Sequence, residues 1–163
     1  MVELMVVLAI IAIAAAIVVP LASSAGSMQI RAAVTMMAAD LEYAKSLSIS
    51  RGHRYAVVFN RDAESYQIED LNMPAWDPAR IVDHPVRKGF KYIVNFAGDS
   101  RLSQVNIVDA NFDATNTVSF DYLGSPFNGS NGNLNSGVVT LRAGNITRTV
   151  SVQPVTGYIS ISN

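Results

Sequence analysis

A chain of 163 residues with a formal net charge of -1 suits a single domain and has no overall charge that would attract nucleic acid or an anionic membrane surface. It contains no cysteine, which excludes a disulfide framework and a thiolate metal site. Hydrophobic residues make up 50% of the chain and charged residues only 15%, but this average hides two different segments that divide near residue 25.

The first predicted element is a helix in an apolar run, LMVVLAIIAIAAAIVVPLA, at residues 4–22. About 20 apolar residues in a helix cross the ~30 Å hydrocarbon layer of a bilayer, so the run predicts a transmembrane helix. A cleaved secretory signal is the alternative, but it requires a basic flank and a small-residue cleavage site. The flank here is Glu3, with no lysine or arginine, which favours a retained helix.

Helical periodicity resumes after a polar joint at residues 23–27 and predicts an amphipathic second half. Apolar residues recur at spacings of four and three, while most charged residues, Asp40 among them, fall off this stripe. The stripe consists of Ile30, Val34, Met37, Leu41 and Ala44. Gly52, preceded by Lys45 and Arg51, is typical of a helix C-terminus. The sequence therefore predicts one helix from about residue 1 to about residue 51.

Beyond Gly52 the chain changes to short β-type runs separated by Gly, Asn, Asp and Pro. The predicted strands are 54–60, 65–69, 90–96, 104–108, 118–122, 138–142, 147–152 and 158–161. Gly144 and Asn145 predict a tight hairpin turn, so the last three strands should form an antiparallel meander. The stretches 71–87 and 125–137 are rich in Pro or Asn-Gly and predict surface loops.

These elements predict an α+β fold in which a long N-terminal helix packs on a small antiparallel β-sheet head. Residues 1–25 are expected to form a hydrophobic transmembrane helix. Residues 26–163 form the globular head, with an amphipathic helix at 26–51 and a β-rich part at 53–163. The apolar and amphipathic halves of the helix differ in composition, and this difference places the domain boundary.

The opening residues VELMVVLAIIAIAAAIVVP resemble the N-terminal segment of type IV pilins and type II secretion pseudopilins. In that superfamily a lone Glu precedes an apolar helix that is interrupted by Pro, and the matching positions are Glu3 and Pro20. The stretches DLEYAKSLSISRGHRYAVVFN, VSFDYLGSPF and VVTLRAGNITRTVSVQPVTGYISIS are similar to the minor-pseudopilin group with a GspH/FimT-type head. The resemblance implies the pilin fold and a structural filament subunit, in which residues 1–25 form the filament-core helix.

Two residues carry the implied assembly chemistry. The resemblance implies that Glu3 pairs with the free N-terminal ammonium of an adjacent subunit; the alternative is that Glu3 lies at the membrane interface in contact with water. A charge at the bilayer centre costs about 2.5–3.5 kcal/mol, so a carboxylate there needs compensation. Pro20 removes a backbone donor and is expected to kink or locally melt the helix near residues 16–19. The kinked or melted turn either helps subunits to pack in a filament or is a simple proline kink of the kind found in many membrane helices.

The implied partners are further copies of this chain or other pilin and pseudopilin subunits, the bacterial inner membrane before assembly, and the assembly machinery. The implied location after assembly is a periplasmic pseudopilus or a cell-surface filament, and a major and a minor role both remain open. Family members carry a short leader ending in Gly before a methylated N-terminus, with the Glu four residues further on. Because Glu3 is only two residues from Met1, we expect the sequence to lack the leader and two mature residues.

The alternative function is that of a FimT-like minor pilin that binds DNA. Arg142 and Arg148 flank the predicted hairpin turn and offer contacts to phosphates, and Arg87, Lys88 and Lys91 form a second small cluster. The slightly negative net charge and the lack of aromatic residues between the hairpin arginines count against this function.

Catalysis, metal binding and cofactor binding find no support in the motifs of the chain. His53 and His84 are isolated, without the spacing of a metal site. No nucleophile motif of the Gly-x-Ser-x-Gly kind and no Gly-rich phosphate loop occurs. We therefore expect no enzyme, no metal and no cofactor.

Overall fold

The computed structural model describes the backbone of residues 2–162 and the side chains of residues 2–14 and 26–162. It confirms the α+β fold, with one long helix packed on two antiparallel sheets. The elements are α1 (Val2–Arg51), β1 (Tyr55–Asn60), β2 (Ser65–Asp70), a 3-10 turn (Pro78–Arg80), β3 (Ile93–Asn95), β4 (Val105–Phe112), β5 (Thr117–Phe120), β6 (Pro126–Asn128), β7 (Gly137–Ala143), β8 (Ile146–Val152) and β9 (Ile159–Ser162).

Helix α1 has 50 residues and is therefore about 75 Å long. We call its exposed N-terminal part, residues 2–14, the stem, because these side chains do not pack on the head. In the part of the chain whose side chains are described, no helix contains a stretch long and apolar enough to cross a membrane. The side chains of residues 15–25 are not among those described, so residues 15–22 of the predicted span and the kink predicted at Pro20 lie outside the described side chains.

The second half of α1 packs on the head along the predicted stripe. Its five apolar residues, from Ile30 to Ala44, are all at most 2% exposed, which confirms the amphipathic pattern. Ser48 continues this face: its hydroxyl donates to the Ala44 carbonyl at 3.0 Å and accepts from the Tyr55 amide at 3.1 Å. The end of the helix is thereby joined to the first residue of β1.

Gly52 ends α1 as predicted. Its φ of +75° is in the left-handed region, where glycine has no steric penalty. The Gly52 amide donates to the Ser48 carbonyl at 3.0 Å, which satisfies one of the free carbonyls of the last turn. The chain then reverses into β1 within a few residues.

The first sheet has five antiparallel strands in the order β3-β2-β1-β5-β6. Strand β1 is central, and Tyr55, Ala56, Val57 and Phe59 are all buried, so both faces of this strand are covered. The run Tyr-Ala-Val-Val-Phe is nearly continuous in apolar character, as expected for a strand buried on both sides.

The second sheet has four antiparallel strands in the order β4-β7-β8-β9, and its last three strands are the predicted meander. In β7 the residues Gly137, Val139, Leu141 and Ala143 alternate toward the core and are buried. The turn from β7 to β8 includes Gly144, whose φ is +58°. Helix α1 contacts strands of both sheets, and one core forms between them.

Two strands differ from the sequence-based prediction by three or more residues at one end, and a third strand was not predicted. Strand β3 covers only Ile93–Asn95, because residues before it bond to the preceding loop instead, as in the Tyr92 amide to the Val82 carbonyl at 2.7 Å. Strand β4 extends to Phe112, since a bulge between Ile107 and Asp109 keeps its polar end paired with β7. Strand β6 lies inside the predicted loop 125–137, where its Pro126 occupies an edge strand that tolerates proline.

Asp40 departs from the expected exposure of charged residues on α1, since it is only 8% exposed. Its carboxylate accepts hydrogen bonds from the hydroxyls of Tyr66 at 2.6 Å and Tyr92 at 2.7 Å. Burial raises the pKa of Asp40 above its ordinary value, while the two tyrosine hydrogen bonds oppose that shift. Burial, followed by contact with Asp40, raises the pKa of both tyrosines. This network ties α1 to the first sheet.

Candidate functional site

The stem exposes large apolar side chains in every direction around the helix axis. The exposed fractions range from 50% at Val7 to 76% at Val2. The residues concerned are Val2, Leu4, Met5, Val6, Val7, Leu8, Ile10, Ile11 and Ile13. Successive helical residues are about 100° apart, so this run leaves no polar face. A helix that is apolar all round requires lipid or other protein around it.

The free energy at stake is large compared with that of a single contact. Full burial of one large aliphatic side chain is worth about 1.5–3 kcal/mol, and the stem has nine that are at least half exposed. Covering the stem therefore provides on the order of 10 kcal/mol per chain, before the entropy cost of association is subtracted. A gain of this size favours association of stems or their insertion into an apolar phase.

Glu3 lies in the first turn of α1, and its side chain is exposed. The helix dipole favours a carboxylate at this end. None of the described residues forms an ion pair with Glu3 within the chain. Once apolar neighbours surround the stem, the carboxylate requires a cationic partner, because an unpaired charge in an apolar environment is costly.

The head meets α1 at Gly26, which is buried. A Cβ atom at this position would lie 3.3 Å from Oε1 of Gln104, just before β4, so only a very small residue fits. One helical turn later, the Gln29 side chain accepts a hydrogen bond from the Gln104 amide at 3.0 Å. Sequence reasoning missed both residues, because their partners are distant in the chain. These contacts lie at the predicted boundary, although the division into domains stays a prediction.

The two arginines of the alternative DNA site lie on opposite faces of the second sheet. Arg142 is paired with Thr147, and Arg148 is paired with the buried Leu141. Directly paired residues share a face, so Arg148 lies on the core-facing side and Arg142 on the outer side. Arg148 also lines a shallow groove with Arg31 of α1. The structure does not bring the two arginines together, and DNA contact through them stays a prediction.

The second basic cluster is partly engaged within the head. The Lys91 ammonium lies 2.8 Å from the Asp83 carboxylate. The Arg87 guanidinium lies 5.7 Å from the centre of the Phe90 ring, within the range of a cation–π contact. His84, which precedes these residues, stacks on Tyr92 with ring centres 4.9 Å apart. The exposed positive charge of this cluster is therefore smaller than the residue types alone indicate.

A groove of about 570 Å³ lies between the β1–β2 hairpin and the end of β4. Several of its polar side chains serve the local turns. Asn116 donates to the Phe59 carbonyl, and Asn111 accepts from the Ala114 amide at 2.9 Å. In the described part of the chain, no cluster of three His, Cys, Asp or Glu side chains could hold a metal ion.

Solved structures similar to this chain include those of a type IV minor pilin and a minor pseudopilin. The minor pilin FimU of Pseudomonas aeruginosa is 15% identical, with a TM-score of 0.52, 82% of this chain covered and 87% of that chain. The minor pseudopilin EpsH of the Vibrio cholerae Type 2 Secretion System is 9% identical, with a TM-score of 0.53 and coverages of 81% and 94%. No protein-family model matches the sequence, and no curated protein matches it. The chain thus has the fold of type IV pilins and pseudopilins, as the sequence resemblance implied.

Proposed function

We propose that this chain is a structural subunit of a type IV pilus-like filament or a type II secretion pseudopilus, and that it polymerises through its N-terminal helix. The observation that carries this proposal is the stem, an exposed and apolar helical segment continuous with a folded head. A head with a complete core does not need such a segment for its own stability. The fold shared with FimU and EpsH supports the same role, which is structural and not enzymatic.

In the proposed filament, stems pack side by side into an apolar core and the heads form the outer sheath. Because stem and head share the single helix α1, the position of a stem in the core determines the position of its head. Ala9, Ala12 and Ala14 are small residues that permit close approach of neighbouring helices. Before assembly, the N-terminal helix is held in the bacterial inner membrane. Lipid and the filament core are both apolar, so transfer between them leaves the stem covered.

Glu3 gives the proposed packing its register. A stem that slides along its neighbours buries nearly the same apolar area at many positions, so apolar contact alone selects register poorly. Pairing of Glu3 with the N-terminal ammonium of an adjacent subunit favours one position, because other positions leave a carboxylate unpaired in an apolar core. Pro20 removes a backbone hydrogen bond and loosens the helix after the stem. The stem can then change its angle to the head as subunits pack.

Substitution of Glu3 tests the proposal. Glu3→Gln keeps the shape of the side chain and removes its charge, and Glu3→Ala removes both. We expect sheared filament yield, measured by electron microscopy and immunoblotting, to fall sharply in both variants while the amount of protein in the membrane fraction is unchanged. The control is Glu42→Gln, which removes an exposed carboxylate from the head, where it pairs with Lys45 at 2.8 Å.

The possible outcomes separate the parts of the proposal. Normal filament yield from both Glu3 variants would exclude charge pairing while leaving polymerisation by the stem intact. Recovery of the native protein only as a soluble monomer, with residues 2–14 still attached, would contradict the filament proposal as a whole.

A further inference from the structure

A second exposed apolar surface lies at the opposite end of α1 from the stem. It combines the helix end with the loops that follow β5 and β8. Its members are between 52% and 81% exposed, and we call them the distal patch: Ile49, Tyr122, Leu123, Val155 and Tyr158. Contiguous exposed apolar residues of this number, rimmed by polar groups, are typical of a protein-binding surface.

The contacts beneath the distal patch show that its three segments meet. A Cβ atom at Gly124 would lie 3.2 Å from Cδ1 of Ile49, so the first loop touches the end of the helix. A Cβ atom at Gly157 would lie 2.6 Å from the Gly124 carbonyl oxygen, so the second loop touches the first. The Lys45 ammonium donates to the Gly157 carbonyl at 3.0 Å and fastens that loop to α1.

Both loops are held in defined conformations. The Asp121 carboxylate accepts from the amides of Leu123 at 2.9 Å and Ser125 at 2.8 Å. Val155 has a φ of +64°, a conformation that is unfavourable for a β-branched residue, and its side chain is 81% exposed. Backbone strain of this kind is commonly found at functional sites. The apolar side chains are therefore presented on a preorganised surface, which lowers the entropy cost of binding.

We propose that the distal patch of one subunit binds the stem of another copy of this chain, an inference that rests on the proposed filament function. Residues 4–14 of the stem and all five members of the patch are uncharged, so the two surfaces match in chemistry. They are different surfaces at opposite ends of one helix. Contact between them is heterologous, and with an offset along the helix axis it extends into an open polymer without closing into a dimer.

The geometry of α1 argues against lipid as the partner of the patch. Ile49 is 35 residues beyond Ala14, or about 50 Å along the helix axis. A bilayer with its headgroups is about 40–45 Å thick, so a patch this far beyond a membrane-held stem lies outside that membrane. A second stem, by contrast, reaches the patch when two parallel copies are offset along the axis by roughly 50–70 Å.

Cysteine cross-linking tests this contact directly, because the chain has no cysteine of its own. The test variant is the full chain with Leu123→Cys and Ile10→Cys, and a second version uses Ile13→Cys in place of Ile10→Cys. The control combines Ile10→Cys with Asp62→Cys, since the Asp62 side chain is 95% exposed and belongs to the turn between β1 and β2. Sheared filaments are oxidised and analysed on a denaturing gel without reductant.

We expect a ladder of cross-linked multimers from at least one test variant and no such ladder from the control. A companion variant, Leu123→Lys, should reduce filament yield while Asp62→Lys does not. A ladder no stronger than that of the control, or cross-linking by Leu123→Cys alone, would overturn the inference, as would normal filament yield from Leu123→Lys. In those cases filaments still form, so the proposed function stands. Absence of filaments from the unsubstituted chain would instead contradict the proposed function.

Discussion

Replacing Asp40 tests whether the buried carboxylate joins α1 to the head. In Asp40→Ala the hydroxyls of Tyr66 and Tyr92, both buried, lose their acceptor. A buried hydroxyl left without a partner costs about 1–3 kcal/mol. Loss of the buried carboxylate offsets part of this cost, because burial disfavours its ionised form. We expect a net loss of about 2–4 kcal/mol in the free energy of unfolding.

The isosteric variant Asp40→Asn separates the charge of the side chain from its packing and hydrogen bonding. Its amide retains one acceptor oxygen for a tyrosine hydroxyl, and its NH₂ group can donate to the oxygen of the other tyrosine. We therefore expect a loss of about 1 kcal/mol, well below that of the alanine variant. The control is Asp62→Ala, which removes a side chain that is 95% exposed and should change stability by no more than about 0.5 kcal/mol.

The assay is urea unfolding of the full chain in detergent micelles, followed by circular dichroism at constant detergent concentration. A change in midpoint at constant slope reports a change in stability. The reasoning would be refuted if Asp40→Ala unfolded at the same urea concentration as Asp62→Ala. Equal losses from Asp40→Asn and Asp40→Ala would show that neither the shape of the side chain nor the hydrogen bonds of an amide can replace the carboxylate.

Two further predictions concern the head. Burial raises the folded-state pKa of Asp40, so the stability it contributes is fully present below its ordinary pKa of 3.8 and is lost as pH rises through the raised value. The unfolding free energy of the unsubstituted chain relative to Asp40→Asn should therefore fall as pH rises above 3.8, and a flat or rising difference in urea titrations would contradict this shift. In Gly137→Ala, the new Cβ atom would lie 2.8 Å from Cδ1 of Phe112 and 2.9 Å from Cδ2 of Leu134, so we expect a loss of about 1–3 kcal/mol in the same assay. Gly144→Ala is a partial control, because its Cβ atom has open space and only its φ of +58° is unfavourable; an unchanged unfolding free energy in Gly137→Ala would contradict the steric explanation.

The local elements of the chain were predictable because their signals lie within a few residues of each other. The stripe from Ile30 to Ala44 and the terminal Gly52 specify where α1 packs and where it ends. The turn at Gly144 specifies the β7–β8 hairpin. In each case the period of the side chains, or the backbone freedom of glycine, depends on neighbouring residues alone.

The ends of several strands were not predictable from local pattern. Strand β6 begins at a proline and is a strand only because it pairs with β5. Strand β4 continues through polar residues because β7 supplies hydrogen bonds across a bulge. Edge strands and bulges depend on a partner that is distant in the chain, so their own residues carry a weak signal.

By itself, the sequence determined that this protein has an apolar N-terminal helix, an amphipathic continuation and a β-rich head, because the composition and period of each segment are local properties. Only the tertiary structure decided that Asp40 is buried between two tyrosines and that Arg142 and Arg148 lie on opposite faces of a sheet. It also decided that residues 49, 122–123, 155 and 158 share one surface. These features bring together residues separated by tens of positions, and their geometry exists only once the sheets have paired and packed on α1.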